Sequence, residues 1–181
     1  MGAVPSCLEA CLPQGRPPGL PDLLLEDGTK VIVRGLVNAA HHNGKEGIVC
    51  AYEPDSGRYA VALPDGNTIS VRSENLLQAI GVMIIDLQGR GELNGLIGRI
   101  VGSDGLEQRY HVSVRGQVMA LAPTNALLPN GARVRVQGLE QQPQYNGLVG
   151  VVVDVDRTAK RYVVVMGSEH QLRVRFDNVR L

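Results

Sequence analysis

The residues of this chain that could do chemistry are few and scattered. His41-His42 is its one adjacent histidine pair, and His111 and His170 stand alone. Cys7, Cys11 and Cys50 lack the paired CxxC or Cys/His spacing of a zinc site, and three thiols cannot all pair with one another. An enzyme needs reactive groups that converge, and none do so here. Where the later copies of the repeat described below match His41-His42, they carry Glu92-Leu93 and Gln144-Tyr145, so the pair reads as an exposed polar loop. The expectation is a protein that is not an enzyme, with no metal, no cofactor and no small-molecule substrate.

A second constellation is electrostatic. Arg133 and Arg135 flank Val134, and Arg173 and Arg175 flank Val174. In strands, alternation points each arginine pair outward, so the four guanidiniums could share one surface. Such a surface suits an acidic protein, a phosphate backbone or an anionic lipid; the bland alternative is a solvated face with local ion pairs. The places read as matching hold Lys30, Ile32, Ser70 and Arg72 in the first copy, and Met83, Ile85, Ala120 and Ala122 in the second. Charge supports a local reading. The whole chain is neutral, residues 1–27 carry one Arg against four acids, and the last third carries eight Lys/Arg against five acids. A neutral whole argues against a dedicated nucleic-acid binder. With no Trp and only five Tyr and one Phe, the chain also lacks the clustered aromatic faces of proline-peptide grooves, methyl-lysine cages and base-stacking platforms.

The elements that must position these residues come from a repeat. Asn43-Gly44-Lys45-Glu46-Gly47 returns as Asn94-Gly95-Leu96-Ile97-Gly98 and again as Asn146-Gly147-Leu148-Val149-Gly150. Arg58-Tyr59, Arg109-Tyr110 and Arg161-Tyr162 follow, and Asn75, Asn125 and Asn178 close the copies, at spacings of 51 and 52 residues for the Asn-Gly pairs. Fixed-period self-similarity outranks any single-segment reading. It divides the chain into a proline-rich extended leader, 1–27, and three units, 28–78, 79–129 and 130–181. Asn-Gly ahead of an apolar run predicts a tight turn with the glycine at φ > 0, and the second glycine predicts close approach of backbone to backbone.

Within unit one, Lys30–Arg34, Gly47–Tyr52, Arg58–Leu63 and Thr68–Arg72 read as strands and Ser73–Leu76 as a helical turn. Alternation turns Tyr59, Val61 and Leu63 inward with Val49, Ile100 and Val152, while position 48 faces out. Tyr110 and Tyr162, like Tyr59, read as core. Four or five short strands in ~50 residues imply one small β-barrel per unit, marginal alone, so that neighbouring barrels abut as a rigid rod. The leucines at Leu23-Leu24-Leu25 match the later junctions and are expected to dock on unit one in the same way.

Gly28-x-x-Val31-x-Val33-x-Gly35 followed by Asn43-Gly44-x-x-Gly47-x-Val49 resembles the KOW-type SH3-like barrel, over about residues 28–181. Unit two departs from it: Gly81 to Asn94 is shorter by two residues than the matching spans, and its first loop lacks the Gly35-Leu36 or Gly138-Leu139 pair. The resemblance implies RNA, ribosomal, transcription or protein partners. A single β-trefoil built from three units is the structural rival. The leading functional expectation is a non-enzymatic interaction or assembly module with a protein partner, an accessory subunit of a larger complex. The second is an RNA- or ribosome-associated module acting through unit three.

The third expectation is a lipid-anchored adaptor, since Met1-Gly2-Ala3-Val4-Pro5-Ser6 fits the N-myristoylation pattern with Cys7 beside it; membrane association then requires acylation of Gly2 and Cys7. The start lacks the basic-then-apolar shape of a secretory signal, which predicts an intracellular, cytoplasmic protein.

Overall fold

The computed structural model describes residues 25–104, 109–167 and 170–181. The described chain is all-β, with three antiparallel sheets of five strands, one per repeat. Repeat one contributes β1 (Lys30–Val33), β2 (Glu46–Glu53), β3 (Arg58–Ala62), β4 (Thr68–Arg72) and β5 (Leu76–Gln78). Repeat two contributes β6 (Gly81–Ile84), β7 (Ile97–Asp104), β8 (Arg109–Val114), β9 (Gln117–Leu121) and β10 (Ala126–Leu127). Repeat three contributes β11 (Arg133–Val136), β12 (Val149–Asp156), β13 (Arg161–Met166), β14 (His170–Arg175) and β15 (Val179–Arg180).

The strand orders are β4-β3-β2-β1-β5, β9-β8-β7-β6-β10 and β14-β13-β12-β11-β15. Every ladder stays within its own repeat. A trefoil would share one barrel among the three repeats, so that alternative is overturned in favour of tandem small barrels. The residues after each closing Asn supply the fifth of the four or five strands expected per unit: Val31, Ile32 and Val33 pair with Gln78, Leu77 and Leu76.

Two devices bend each sheet around its core. The second strand of every repeat is eight residues long and carries a register shift at the same place, at Val49/Ala51, Ile100/Gly102 and Val152/Asp154. Such a bulge lets one strand pair with the first strand at one end and the third at the other. The second motif glycine is the other device. A Cβ on Gly47 would stand 2.5 Å from Val61 Cγ1 and 2.9 Å from the Ala62 carbonyl oxygen, and one on Gly150 would stand 2.5 Å from the Val165 carbonyl oxygen. The alternation read from sequence holds, with Tyr59, Val61, Leu63, Val49, Ile100 and Val152 all buried.

The Asn-Gly turn differs from a two-residue hairpin turn of mirror-image type. Gly44, Gly95 and Gly147 sit at φ 83, 87 and 86 as expected. The asparagines stay extended, with φ of −60, −61 and −65, which makes each turn type II. The asparagine side chain has another task. Asn43 accepts the Leu36 N–H and donates to the Leu36 carbonyl, both at 2.9 Å; Asn94 does the same to Leu87, and Asn146 to Leu139. The closing asparagines fix the start of the same loop: Asn75, Asn125 and Asn178 donate to the carbonyls of Arg34, Ile85 and Gln137.

These contacts correct the alignment of repeat two. Leu87 is the counterpart of Leu36 and Leu139, so Asp86, at φ 54, replaces Gly35 and Gly138. The bond from Ile100 to the Ile80 carbonyl matches those from Val49 to Thr29 and from Val152 to Ala132. Ala79, and not Gly81, therefore stands where the other repeats have Gly28 and Gly131. Measured from Ala79, the first loop is not shorter at all.

The chain divides into two compact units, one ending at Ala79 and the other running Ile80–Leu181. In the first, Leu25 packs against the core and donates its N–H to the Tyr59 hydroxyl at 2.9 Å, as expected for the leader leucines. Leu23 and Leu24 lie outside the described residues.

In the second unit, repeats two and three interlock reciprocally. Leu128, at the end of repeat two, donates its N–H to Tyr162 of repeat three, and Leu181, at the end of repeat three, donates to Tyr110 of repeat two, both at 3.0 Å. Leu25 and Leu128 each lie 34 positions before their tyrosine. Tyr110 accepts from Leu181, 71 positions further along the chain. Lys160 adds an ion pair to Asp86 at 2.6 Å, and Arg157 lies against the Met83 sulfur.

Candidate functional site

Strand register decides where the sequence-selected arginines go. In repeat three the residues beside Val134 and Val174 do face away from the core. The sheet order, however, puts β12 and β13 between β11 and β14, a separation of ~14 Å at ~4.8 Å per strand, before the curl of the sheet is counted. Arg133 and Arg135 thus occupy one part of the outer face and Arg173 and Arg175 another. Register also corrects the matching residues of repeat two: Arg133 and Arg135 correspond to Gly81 and Met83, because Val82 pairs with Gly98 as Val134 pairs with Gly150.

The four arginines differ in what they touch. Arg135 donates to the Gly147 carbonyl at 2.9 Å, and Arg175 lies 3.3 Å from Asp177. The Arg173 side chain has no hydrogen-bonding or ionic partner among the described residues. It lines an open groove with Val153, Asp154, Val163 and Gln171, on the outer side of β12, β13 and β14. Arg161, on the same face of β13 and directly opposite Arg175, is likewise exposed and without a partner among the described residues.

Among the described residues, each acid on this face has a local role. Asp154 accepts the N–H of Val155 at 2.8 Å, Asp156 accepts that of Ala159 at 2.8 Å, and Asp177 meets Arg175. The guanidinium donors of Arg161 and Arg173 are therefore unspent while the neighbouring carboxylates are engaged.

In the other repeats the row that holds Arg173 lacks its arginine and carboxylate. Arg173, Val163 and Asp154 lie side by side across three strands. The equivalent row in repeat one is Ser70, Ala60 and Ala51, and in repeat two Ala120, His111 and Gly102. One row further along, Gln171, Val165 and Val151 correspond to Thr68, Ala62 and Ile48, and to Val118, Ser113 and Arg99. Sequence reasoning found Arg173 and missed Val153, Asp154, Val163 and Gln171. Only the pairing register, including the bulge, brings those four beside it.

The remaining candidates fall into three groups. The repeated tyrosines are structural: Tyr59, Tyr110 and Tyr162 are 1%, 3% and 0% exposed. Burial raises the Tyr162 pKa far above its usual range, opposed by the hydrogen bond from Leu128. The histidine loop of repeat one holds His41 and His42 with ring centroids 4.0 Å apart, His42 Nδ1 3.4 Å from Lys45 Nζ, and Lys45 3.4 Å from Asp65. Desolvation, then the charges of His41 and Lys45, lower the His42 pKa. Gly2 and Cys7, the lipidation candidates, lie outside the described residues. No helix among the described residues is long and apolar enough to cross a membrane. Compared with known proteins, the chain matches no family model and no curated sequence.

Proposed function

We propose that this chain is a non-enzymatic protein-interaction module, an accessory or assembly subunit in which three like scaffolds carry unlike outer faces. One observation carries this reading. Cores, turns and asparagine locks recur from repeat to repeat, whereas the outer row Ser70-Ala60-Ala51 or Ala120-His111-Gly102 becomes Arg173-Val163-Asp154 in repeat three. Duplication preserves what folds, and a surface freed from folding constraints is where recognition diverges. The KOW-type resemblance of the repeat is compatible with this role.

The RNA-associated reading rests on the excess of basic residues in repeat three. It is weaker because Asp154, Asp156 and Asp177 stand among Arg161, Arg173 and Arg175, and a polyanion would meet them in succession. The discriminating experiment is affinity capture with the full chain from cell extract, with and without nuclease. The module reading expects a defined protein set that survives nuclease. A retained set that vanishes with nuclease would reverse the ranking in favour of RNA.

A further inference from the structure

We propose that the groove across β12, β13 and β14 of repeat three binds an extended acidic segment of a partner protein, with Arg173 as its carboxylate anchor. The proposal rests on the interaction-module reading and names the chemistry of its partner. Charge and donor count select the occupant. Arg173 offers a planar fork of N–H donors that nothing described satisfies, and a carboxylate accepts such a fork in bidentate fashion. Val153, 40% exposed, and Val163 supply an apolar floor, and Gln171 supplies both a donor and an acceptor of the kind a peptide group needs.

The groove is bipolar. Arg161, Arg173 and Arg175 occupy the β13–β14 side, while Asp154 and Asp156 occupy β12. A peptide with spaced carboxylates can set them on the basic side and keep its backbone N–H groups toward the acidic one. A phosphate chain, charged at every unit, cannot avoid Asp154. The Arg173 row is particular to repeat three, since the counterparts of Arg173 are Ser70 and Ala120, whereas Arg161, Arg175 and Asp156 recur in repeat one as Arg58, Arg72 and Glu53.

The test uses fluorescence anisotropy with the full chain and three labelled probes: a decapeptide alternating glutamate and valine, one alternating lysine and valine, and a ten-nucleotide oligouridylate. Saturable binding of the glutamate peptide, weakened at least tenfold by Arg173→Ala and unchanged by Arg72→Ala in repeat one, supports the proposal. Arg173 is exposed and its side chain has no polar partner among the described residues, so the variant is expected to keep its fold, which an unchanged melting curve checks. Absence of saturable binding, equal binding by Arg173→Ala, or tighter binding of the lysine peptide or of oligouridylate overturns it.

A parallel capture from extract separates the two levels of inference. If wild type and Arg173→Ala retain the same nuclease-resistant proteins, the groove assignment fails and the module reading stands. If wild type retains none, both fail.

Discussion

Repeat one and the pair formed by repeats two and three use the same parts to different ends. All three bury a tyrosine whose hydroxyl accepts the N–H of a leucine. In repeat one that leucine comes from the segment just ahead of the barrel. In the pair, each barrel's closing segment supplies the leucine for the other. A second difference sits in the backbone. Repeat one has Gly35 and Gly57, at φ 63 and 64, at two of its left-handed loop positions. Their counterparts at the contact between repeats two and three are Asp86 and Lys160, at φ 54 and 52, and these two bind each other. A non-glycine residue in that region is disfavoured by about 1 kcal/mol or more. The pair thus accepts backbone strain to place one cross-repeat ion pair. Within the second unit, two substituted positions add one ion pair to tyrosine–leucine contacts built from parts that repeat one also has.

The largest test of this comparison is steric. In Gly150→Val the new side chain meets Val164, Met166 and the Val165 carbonyl, and overpacking of this kind costs typically about 1–3 kcal/mol, more where backbone blocks relief. Hydrogen exchange should show protection falling in repeat two as well as repeat three, because the repeats brace one another. Protection lost from repeat three alone would break the idea of a reciprocal pair. Gly47→Val is the matching insult to repeat one.

Next in size is the tyrosine hydroxyl. Tyr162→Phe leaves the Leu128 N–H buried without its acceptor, and an orphaned buried donor costs about 1–3 kcal/mol. Tyr59→Phe should cost less, because its bond to Leu25 is only partly buried. Urea denaturation of both variants measures the difference; an equal or larger loss for Tyr59→Phe contradicts it.

The same group predicts a pH effect. The folded state raises the Tyr162 pKa above the ordinary value of 10.0. Its contribution is therefore fully present below about pH 10 and is lost as pH climbs from there toward the folded value, because only the unfolded chain ionises in that window. Tyr162→Phe should flatten the alkaline limb of a stability–pH curve. An unchanged slope would remove Tyr162 as its source.

The smallest expected effect is at the cross-repeat ion pair. Lys160→Gly loses an exposed pair worth about 0–1 kcal/mol and relieves left-handed strain of similar size. Net stability should change by less than about 0.5 kcal/mol, the range usual for surface sites. A clear gain in melting temperature would mean that strain dominates, and a loss beyond about 1 kcal/mol would mean that the ion pair matters more than exposed pairs usually do.

Much of this was legible in the sequence, for identifiable reasons. The Asn-Gly period and the alternation around Tyr59 are local, and local spacing fixed the number of units, the inward faces and the turn glycines. What escaped was set by partners distant in sequence. Nothing local says that Asn43 binds both polar groups of Leu36, so the spacing gives the turn and its glycine but not the task of the asparagine side chain.

Anchoring repeat two on Gly81 hid Asp86 as the counterpart of Gly35, since a charged residue at φ > 0 is not a pattern one seeks. The groove beside Arg173 depends on the register shift at Val152/Asp154, which brings Asp154 opposite Val163. Period-two reasoning alone cannot place a residue beyond a bulge. Likewise, Arg133 and Arg173 both face outward as alternation predicts, but strand order separates them.

The reciprocal pair is tested most directly by native-state hydrogen exchange at two amides, Leu128 and Leu181, in wild type and in Tyr110→Phe. Each amide is the donor to the other repeat's tyrosine. The account predicts that Tyr110→Phe speeds exchange at Leu181 and, by weakening the shared body, also speeds it at Leu128, whose own acceptor is untouched. Faster exchange at Leu181 with Leu128 unchanged would show that the two repeats open independently and would contradict it.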